Sequence, residues 1–300
     1  MADKLKRYDI FTKCKEKYDI SVLIDIHCTS QLEKKWINEW GYVGRIAPFS
    51  STSRGVAILF RNTFEFKIHD EIKDPDGNFI ILDVTIQDYR LTLVAVYGPN
   101  EDNPTFFENL KLTIKSIDNT SAILVGDWNV VQNHDIDTLN YIRENNRNSK
   151  LTIQNMMSEL DLVDIWRVDN PDKKIYTWRG PFKKMSRLDY FLITSDVESL
   201  VLSSEIGICY RSDHCPITLS LKFHDQTRGK GTWKFNNSLL KNNDFITKVK
   251  EVINNVLCEY ETDPLVNTED ASKEYKISKQ LLWEMIKMKI RGSYIIIIIY

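Results

Sequence analysis

The sequence, 300 residues long, predicts an α/β fold on three observations. Between Phe79 and Ser220, short runs rich in β-branched and aromatic residues recur between turn residues. Helical patterns interrupt these runs, as expected of sheets covered by helices. The first runs are joined by tight turns, which makes neighbouring strands antiparallel.

The elements follow in order. Asp74-Pro75-Asp76-Gly77-Asn78 is a turn between the strand runs Phe64–Ile68 and Phe79–Val84, and Gln87-Asp88-Tyr89-Arg90 separates the latter from Leu91–Tyr97. Asn103 caps a helix whose first position is Pro104, with Phe107, Leu110, Ile114 and Ile117 at helical spacing for packing on a sheet face. Ser121–Val125 reads as a strand buried on both faces, with Gly126 as a sharp turn after it. A second helix spans Ser149 to about Leu160, ahead of Leu162-Val163-Asp164-Ile165-Trp166, and strands follow at Ser186–Ile193 and Pro216–Leu221. Beyond Lys222 the polar stretch Asp225–Gly231 gives way to charged helical patterns, the clearest from Asp270 to Ile290. This texture sets a boundary near residue 224, between a main domain (1–224) and a helical extension (225–300).

Hydrophobic residues make up 42% of the chain, enough for a substantial core. The net charge of -2 provides no global positive field, although a local basic groove would not register in a sum. Five cysteines, widely spaced and without a C-x-x-C pair, read as reduced thiols of an intracellular protein with no disulfide-linked partner. Met1-Ala2-Asp3-Lys4 begins no secretory signal, so a nuclear or cytoplasmic location is expected, and the Ile295–Ile299 run is too short to span a bilayer. No membrane partner is expected, and the sequence is silent on oligomeric state.

Three motifs carry chemistry: Gly126-Asp127-Trp128-Asn129, Ser186-Arg187-Leu188-Asp189-Tyr190 and Ser212-Asp213-His214. Cleaving an anionic phosphodiester calls for a hard cation, an activated water and neutralisation of the charge that develops on phosphorus oxygens. Asp127, Asp189, Asp213 and Asp25 are the candidate carboxylates. In an extended chain Asp127 and Asn129 share one face while Trp128 points into packing. A histidine at a strand mouth, His214, needs an orienting carboxylate, and Asp189, in an otherwise apolar strand, is the economical partner. Singly, each motif also fits an ordinary strand end; their joint occurrence points to a site.

These stretches, with Tyr18-Asp19-Ile20 through Ser30, Arg54–Phe60, Val96-Tyr97-Gly98-Pro99-Asn100 and Tyr176-Thr177-Trp178-Arg179, occur in family order over roughly residues 8 to 222. Here the chain resembles the endonuclease/exonuclease/phosphatase superfamily, most strongly the endonuclease domain of LINE-type non-LTR retrotransposons. The resemblance implies a four-layer α/β sandwich of two packed, mainly antiparallel sheets with outer helices, and Mg²⁺-dependent nicking of DNA, with Mn²⁺ able to substitute. It assigns Asp127 to water activation, Asn129 to orienting the phosphate, Asp189 to holding His214, and Asp213 and Asp25 to the metal. Tyr97 would stand near the scissile phosphate, and Asn100, Thr177 and Trp178 would touch the substrate.

Two departures stand out. Asp25-Ile26-His27 replaces the family's Glu-Thr-His, drawing the carboxylate back by about one C–C bond length, which an octahedral Mg²⁺ site tolerates poorly. The family's first strand, with its metal-binding asparagine, has no counterpart ahead of Asp3-Lys4-Leu5, so a sandwich lacking that strand is expected. Gly231–Asn236 and the helix containing Trp283 resemble the connector that leads towards reverse transcriptase. Two other readings of the same residues are an inositol-phosphate or lipid-headgroup phosphatase on this fold, and a catalytically decayed domain that binds nucleic acid or protein.

Overall fold

The computed structural model describes residues 3–62, 64–209, 212–223, 243–261 and 275–297. The chain divides into two compact units, Met1–Thr227 and Arg228–Tyr300. The polar stretch Asp225–Gly231 and the Gly231–Asn236 segment lie outside the described residues.

In the first unit, α1 (Lys4–Lys17) leads to β1 (Ile20–Ile24), α2 (Ser30–Trp40), β2 (Gly44–Ala47) and β3 (Val56–Phe60). A meander follows, of β4 (Phe66–Lys73), β5 (Phe79–Ile86) and β6 (Tyr89–Tyr97). Next come α3 (Pro104–Lys115), β7 (Ala122–Asp127), α4 (His134–Asp137), β8 (Thr138–Leu139), α5 (Arg147–Glu159), β9 (Leu162–Asp164) and α6 (Ile165–Asp169). The last elements are β10 (Trp178–Arg179), β11 (Met185–Ser186), β12 (Asp189–Thr194), α7 (Ser195–Glu198), β13 (Val201–Ile206) and β14 (Ile217–Leu221).

Four layers result. The central sheet has six strands in the order β4-β5-β6-β7-β12-β9, antiparallel except for the β6–β7 pair. Strand alternation splits its side chains between two faces. Phe79, Ile81, Val94, Val96 and Leu124 pack against Phe107, Leu110 and Ile114 of α3 and Ile153 and Met156 of α5. Ile80, Leu82, Leu93, Ala95, Ile123 and Ile193 meet Val56, Ile58 and Phe60 of β3, with Val201, Leu219 and Leu221 beside them. The outer face of β1-β3-β2 is covered by α1 and α2 through Phe11, Trp36 and Trp40 against Ile46, Ala57 and Leu59.

The second sheet layer is in two parts, β1-β3-β2 and β13-β14. Among the described residues β1 pairs only with β3 and β14 only with β13, so the layer is open between them. By contrast β4, the edge of the central sheet, carries Lys67, His69, Asp70, Glu71 and Lys73, charges of the kind that discourage edge-to-edge pairing.

Local signals account for the helices. Asn103 caps α3 by accepting from the Phe106 amide at 3.1 Å, with Pro104 in the first turn. Gly126 differs from expectation: it lies inside β7, where an added Cβ would strike the Val96 carbonyl. It is there for close backbone approach between β6 and β7, and the chain does not turn at it. The cysteine reading is also corrected. Cys209 and Cys215 form a disulfide across a separation of six residues, and Cys14, Cys28 and Cys258 are free. The pair links the residues just after β13 to those just before β14, a spacing that a search for C-x-x-C does not register.

The second unit contains α8 (Asn243–Tyr260) and α9 (Lys279–Ile297), which meet through Val256, Leu282 and Ile286. No helix among the described residues is long and apolar enough to cross a membrane.

Candidate active site

Strand register builds a row of chemistry-bearing side chains. Tyr97 ends β6, Asp127 ends β7 and Asp189 begins β12; Tyr97 is the register partner of Asp127, and Asp127 that of Asp189. All three have the parity of Ala95, Ile123 and Ile193, and so belong to the face turned towards the second sheet layer. Their neighbours Trp128 and Tyr190 take the opposite face, stacked at 5.3 Å with an interplanar angle of 3°. The Trp128 indole donates to the Tyr190 carbonyl at 3.1 Å, and its ring lies 6.3 Å from Phe107 of α3. Trp128 is thus in packing, as the sequence suggested.

His214, just ahead of β14, reaches this row from the second layer. Its Nδ1 lies 2.9 Å from Asp189 Oδ2, and its Nε2 lies 3.8 Å from Asp127 Oδ2. One ligand atom each from Asp127, Asp189 and His214 falls within 4.8 Å of the others. Burial and the nearby Asp189 raise the Asp127 carboxyl far above its ordinary range, against the lowering pull of His214. Burial pushes His214 down, but the hydrogen bond and charge of Asp189, with Asp127 behind it, outweigh this and lift it to about 9. Tyr97 is pushed up to about 12 by burial and by the charges of Asp25 and Asp127.

Thr177 departs from its expected place at a substrate-facing surface. It is fully buried, and its hydroxyl accepts from the amides of Leu188 and Asp189, each at 3.0 Å. Its carbonyl accepts from Cys215 N–H at 2.7 Å, so this residue ties the Asp189 strand to the His214 segment. Trp178 is half-buried, and its indole donates to Asp213 Oδ2 at 3.1 Å. Asp213 itself is exposed and outside the Asp127-Asp189-His214 group.

Asp25 also lies outside that group, although its charge acts on both Tyr97 and Asp127. It follows β1 with a φ of 51°, accepts from Arg54 N–H at 2.6 Å and sits 2.9 Å from His27 Nε2. Asn129 is not in the extended conformation that would set it on the face of Asp127: its φ is 51°, in the left-handed region that asparagine tolerates. Its amide nitrogen donates to the Gly98 carbonyl at 2.8 Å, and its backbone N–H to Asp127 Oδ1 at 3.1 Å. Asn100 hydrogen-bonds Tyr97 through its side chain. Sequence reasoning missed Asn146, whose side chain reaches both Asn100 and Asn129. The asparagine-rich run just ahead of α5 was the available signal.

The endonuclease/exonuclease/phosphatase family model matches residues 2–214. The chain belongs to that family. Among curated proteins, the endonuclease/exonuclease/phosphatase chain is 28% identical over 243 residues to the transposon TX1 uncharacterized 149 kDa protein of Xenopus laevis. The match covers 78% of this chain and 18% of that protein, so the chain spans about a fifth of its relative. Two solved structures share the endonuclease/exonuclease/phosphatase fold. The AP endonuclease LMAP of Leishmania major aligns with a TM-score of 0.63 at 17% identity, over 74% of this chain and 83% of that one. The 3'-5' exonuclease NExo of Neisseria meningitidis aligns with a TM-score of 0.59 at 19% identity, over 74% of this chain and 97% of that one.

Nucleases of this endonuclease/exonuclease/phosphatase fold typically use divalent metals, and the donor set here fits one. Asp189 and Asp25 both act on Asp127 as like charges, which is the state of a carboxylate short of a counter-ion. Their oxygens suit a hard cation of the Mg²⁺ class. His214 Nδ1 is engaged by Asp189, which leaves its Nε2 as the ring atom facing Asp127.

Proposed function

We propose that this chain is a Mg²⁺-dependent DNA endonuclease domain of a retrotransposon-type element. The observation that carries the reading is the Tyr97–Asp127–Asp189 row with His214 closing over it. The matched transposon protein supports the element type. Nucleic acid as substrate is supported by two neighbouring loops joined where Asn140 Nδ2 donates to the Lys183 carbonyl at 2.8 Å. They expose Ile142 (97%) and Phe182 (89%) beside Arg143, Arg179 and Lys183, an apolar tip among cations that suits a base step flanked by phosphates.

The side chains divide the work as follows. Asp127, in its ionised form, accepts the proton of the attacking water. As the water oxygen bonds to phosphorus and the bond to the leaving oxygen breaks, that oxygen takes a proton from solvent while protonated His214 hydrogen-bonds a phosphate oxygen through Nε2–H. Asp189 fixes the imidazole through Nδ1 at 2.9 Å. The Tyr97 phenol keeps its proton and offers a second donor. Asp25 and Asp127 would hold the cation, which supplies charge neutralisation at phosphate oxygens. Asp213, clamped by Trp178, completes the wall next to His214.

Incubation of the purified chain with supercoiled plasmid and Mg²⁺ tests the reading. Nicked circles are expected, absent in Asp127→Ala or with EDTA and restored by added Mg²⁺ or Mn²⁺. Nicking no greater than that of Asp127→Ala would sink it, and phosphate release from soluble inositol phosphates without nicking would transfer the site to the phosphatase class.

A further inference from the structure

Asn146 stands at the start of α5 with φ 53° and ψ 42°, a left-handed conformation that asparagine adopts more readily than most residues. The conformation turns its side chain onto two loops at once. Its amide nitrogen donates to the Asn129 carbonyl at 2.9 Å and to the Asn100 carbonyl at 3.1 Å. A primary amide has two N–H groups, so one side chain satisfies both acceptors.

The two loops are those that follow Tyr97 and Asp127. They are already tied near the strands, where Gly98 N–H donates to the Asp127 carbonyl at 2.7 Å and Asn129 Nδ2 to the Gly98 carbonyl at 2.8 Å. Farther out, only Asn146 joins both among the described hydrogen bonds. The helix that carries it is itself anchored. Asp102 accepts from Ser149 N–H at 2.7 Å, from the Ser149 hydroxyl at 2.7 Å and from Asn148 N–H at 3.2 Å, and Asn103 N–H donates to Ser149 Oγ at 2.8 Å.

We infer that Asn146 is a positioning residue, which locks the Tyr97–Asn100 and Asp127–Asn129 segments at one separation for the hydrolysis proposed above, on which this role rests. It acts through backbone carbonyls. Asn129 takes its left-handed conformation with its carbonyl held from one side by Asn146 and its N–H held from the other by Asp127. Asn100, which hydrogen-bonds Tyr97, is held the same way at its carbonyl. Freed of the clamp, the two segments can drift apart while the sheet beneath them stays intact.

Two variants test this in the full chain. Asn146→Gly keeps the backbone conformation and removes the amide; Asn146→Asp keeps the size and sets a carboxylate oxygen against two carbonyl oxygens. Single-turnover nicking at saturating plasmid is expected to fall roughly 10- to 100-fold, the scale of a misplacement of about 1 Å, with the Asp variant at least as slow as the Gly variant and DNA affinity unchanged. Hydrogen exchange of peptides covering residues 97–103 and 127–133 should accelerate in both variants while β5 keeps its protection.

Parent-like nicking in both variants would overturn the role, and so would a loss confined to DNA affinity, which would make Asn146 a substrate contact. A loss of protection that extends to β5 would also overturn it, since Asn146 would then serve overall stability. If the parent itself does not nick, the proposed function fails, and the exchange arm alone decides this inference: acceleration in both loops upholds the clamp, and parent-like exchange refutes it.

Discussion

Asp127 is held where ionisation costs most, buried against Asp189 and reached by the charge of Asp25. That cost is paid in stability for the sake of a base. Asp127→Asn should abolish nicking and raise the melting temperature of the metal-free protein, by about 2–4 °C for each kcal/mol recovered. A lowered melting temperature would contradict the strain. His214 gives a pH signature of known sign. Its folded value, about 9, is above the ordinary 6.5, so the stability it contributes is complete below about pH 6.5 and is lost as pH rises through 9. Asp127, also raised, slopes the same way: its stability loss begins once pH exceeds the ordinary carboxylate range. Urea melts of the metal-free chain between pH 6 and 10 should therefore show falling stability, and Asp189→Asn should flatten the His214 part. Nicking by Asp189→Asn should fall about 10²- to 10⁴-fold, because His214 loses the partner that keeps it protonated and oriented.

Strand β7 shows what was legible among the elements. Its apolar run and its position next to Asp127 could be read directly, because burial on both faces leaves an unmistakable composition; every residue from Ala122 to Asp127 is buried. The role of Gly126 could not, because the Val96 carbonyl that excludes a side chain there comes from β6, thirty residues away in the chain. Gly126→Ala should therefore destabilise the domain by about 1–3 kcal/mol or more, measured by chemical denaturation, whereas a glycine needed only for a turn would tolerate alanine once its φ is negative. Helix α3 was legible to within a few residues because an Asn-Pro cap is a local signal. Asn129 was not: its backbone is left-handed rather than extended, with its carbonyl and side chain bonded by Asn146 and Gly98, partners that lie far off in the sequence. Thr177 was found for the wrong reason, since its amide partners, Leu188 and Asp189, lie just ahead of and at the start of β12, well beyond it in the chain.

At the scale of the molecule, the layered order was readable from alternation and helix spacing, while the register that lines up Tyr97, Asp127 and Asp189 was not, since Asp127 and its partner Asp189 lie 62 residues apart in the chain. The boundary inferred from composition lies near residue 224, and the first compact unit runs to Thr227. We expect residues 1–227 alone to melt cooperatively, at the temperature of the full chain, and to keep its nicking rate. The helical pair in the second unit buries Val256, Leu282 and Ile286 among its described residues, a small core by itself. Residues 228–300 in isolation should show a broad, non-cooperative loss of helix on heating. Equal loss of nicking in the 1–227 protein would assign the second unit a part in the reaction.

The stacked pair of Trp128 and Tyr190 has a spectroscopic consequence. Two aromatic chromophores held parallel at 5.3 Å inside a rigid wall couple their transitions, and each belongs to a residue adjoining a carboxylate of the row. Near-ultraviolet circular dichroism should carry a band from this pair that vanishes when fixed packing is lost even while helices persist. Trp128→Phe would remove it. The protein thus carries an intrinsic optical gauge of whether β7 and β12 are seated, readable without metal, DNA or turnover.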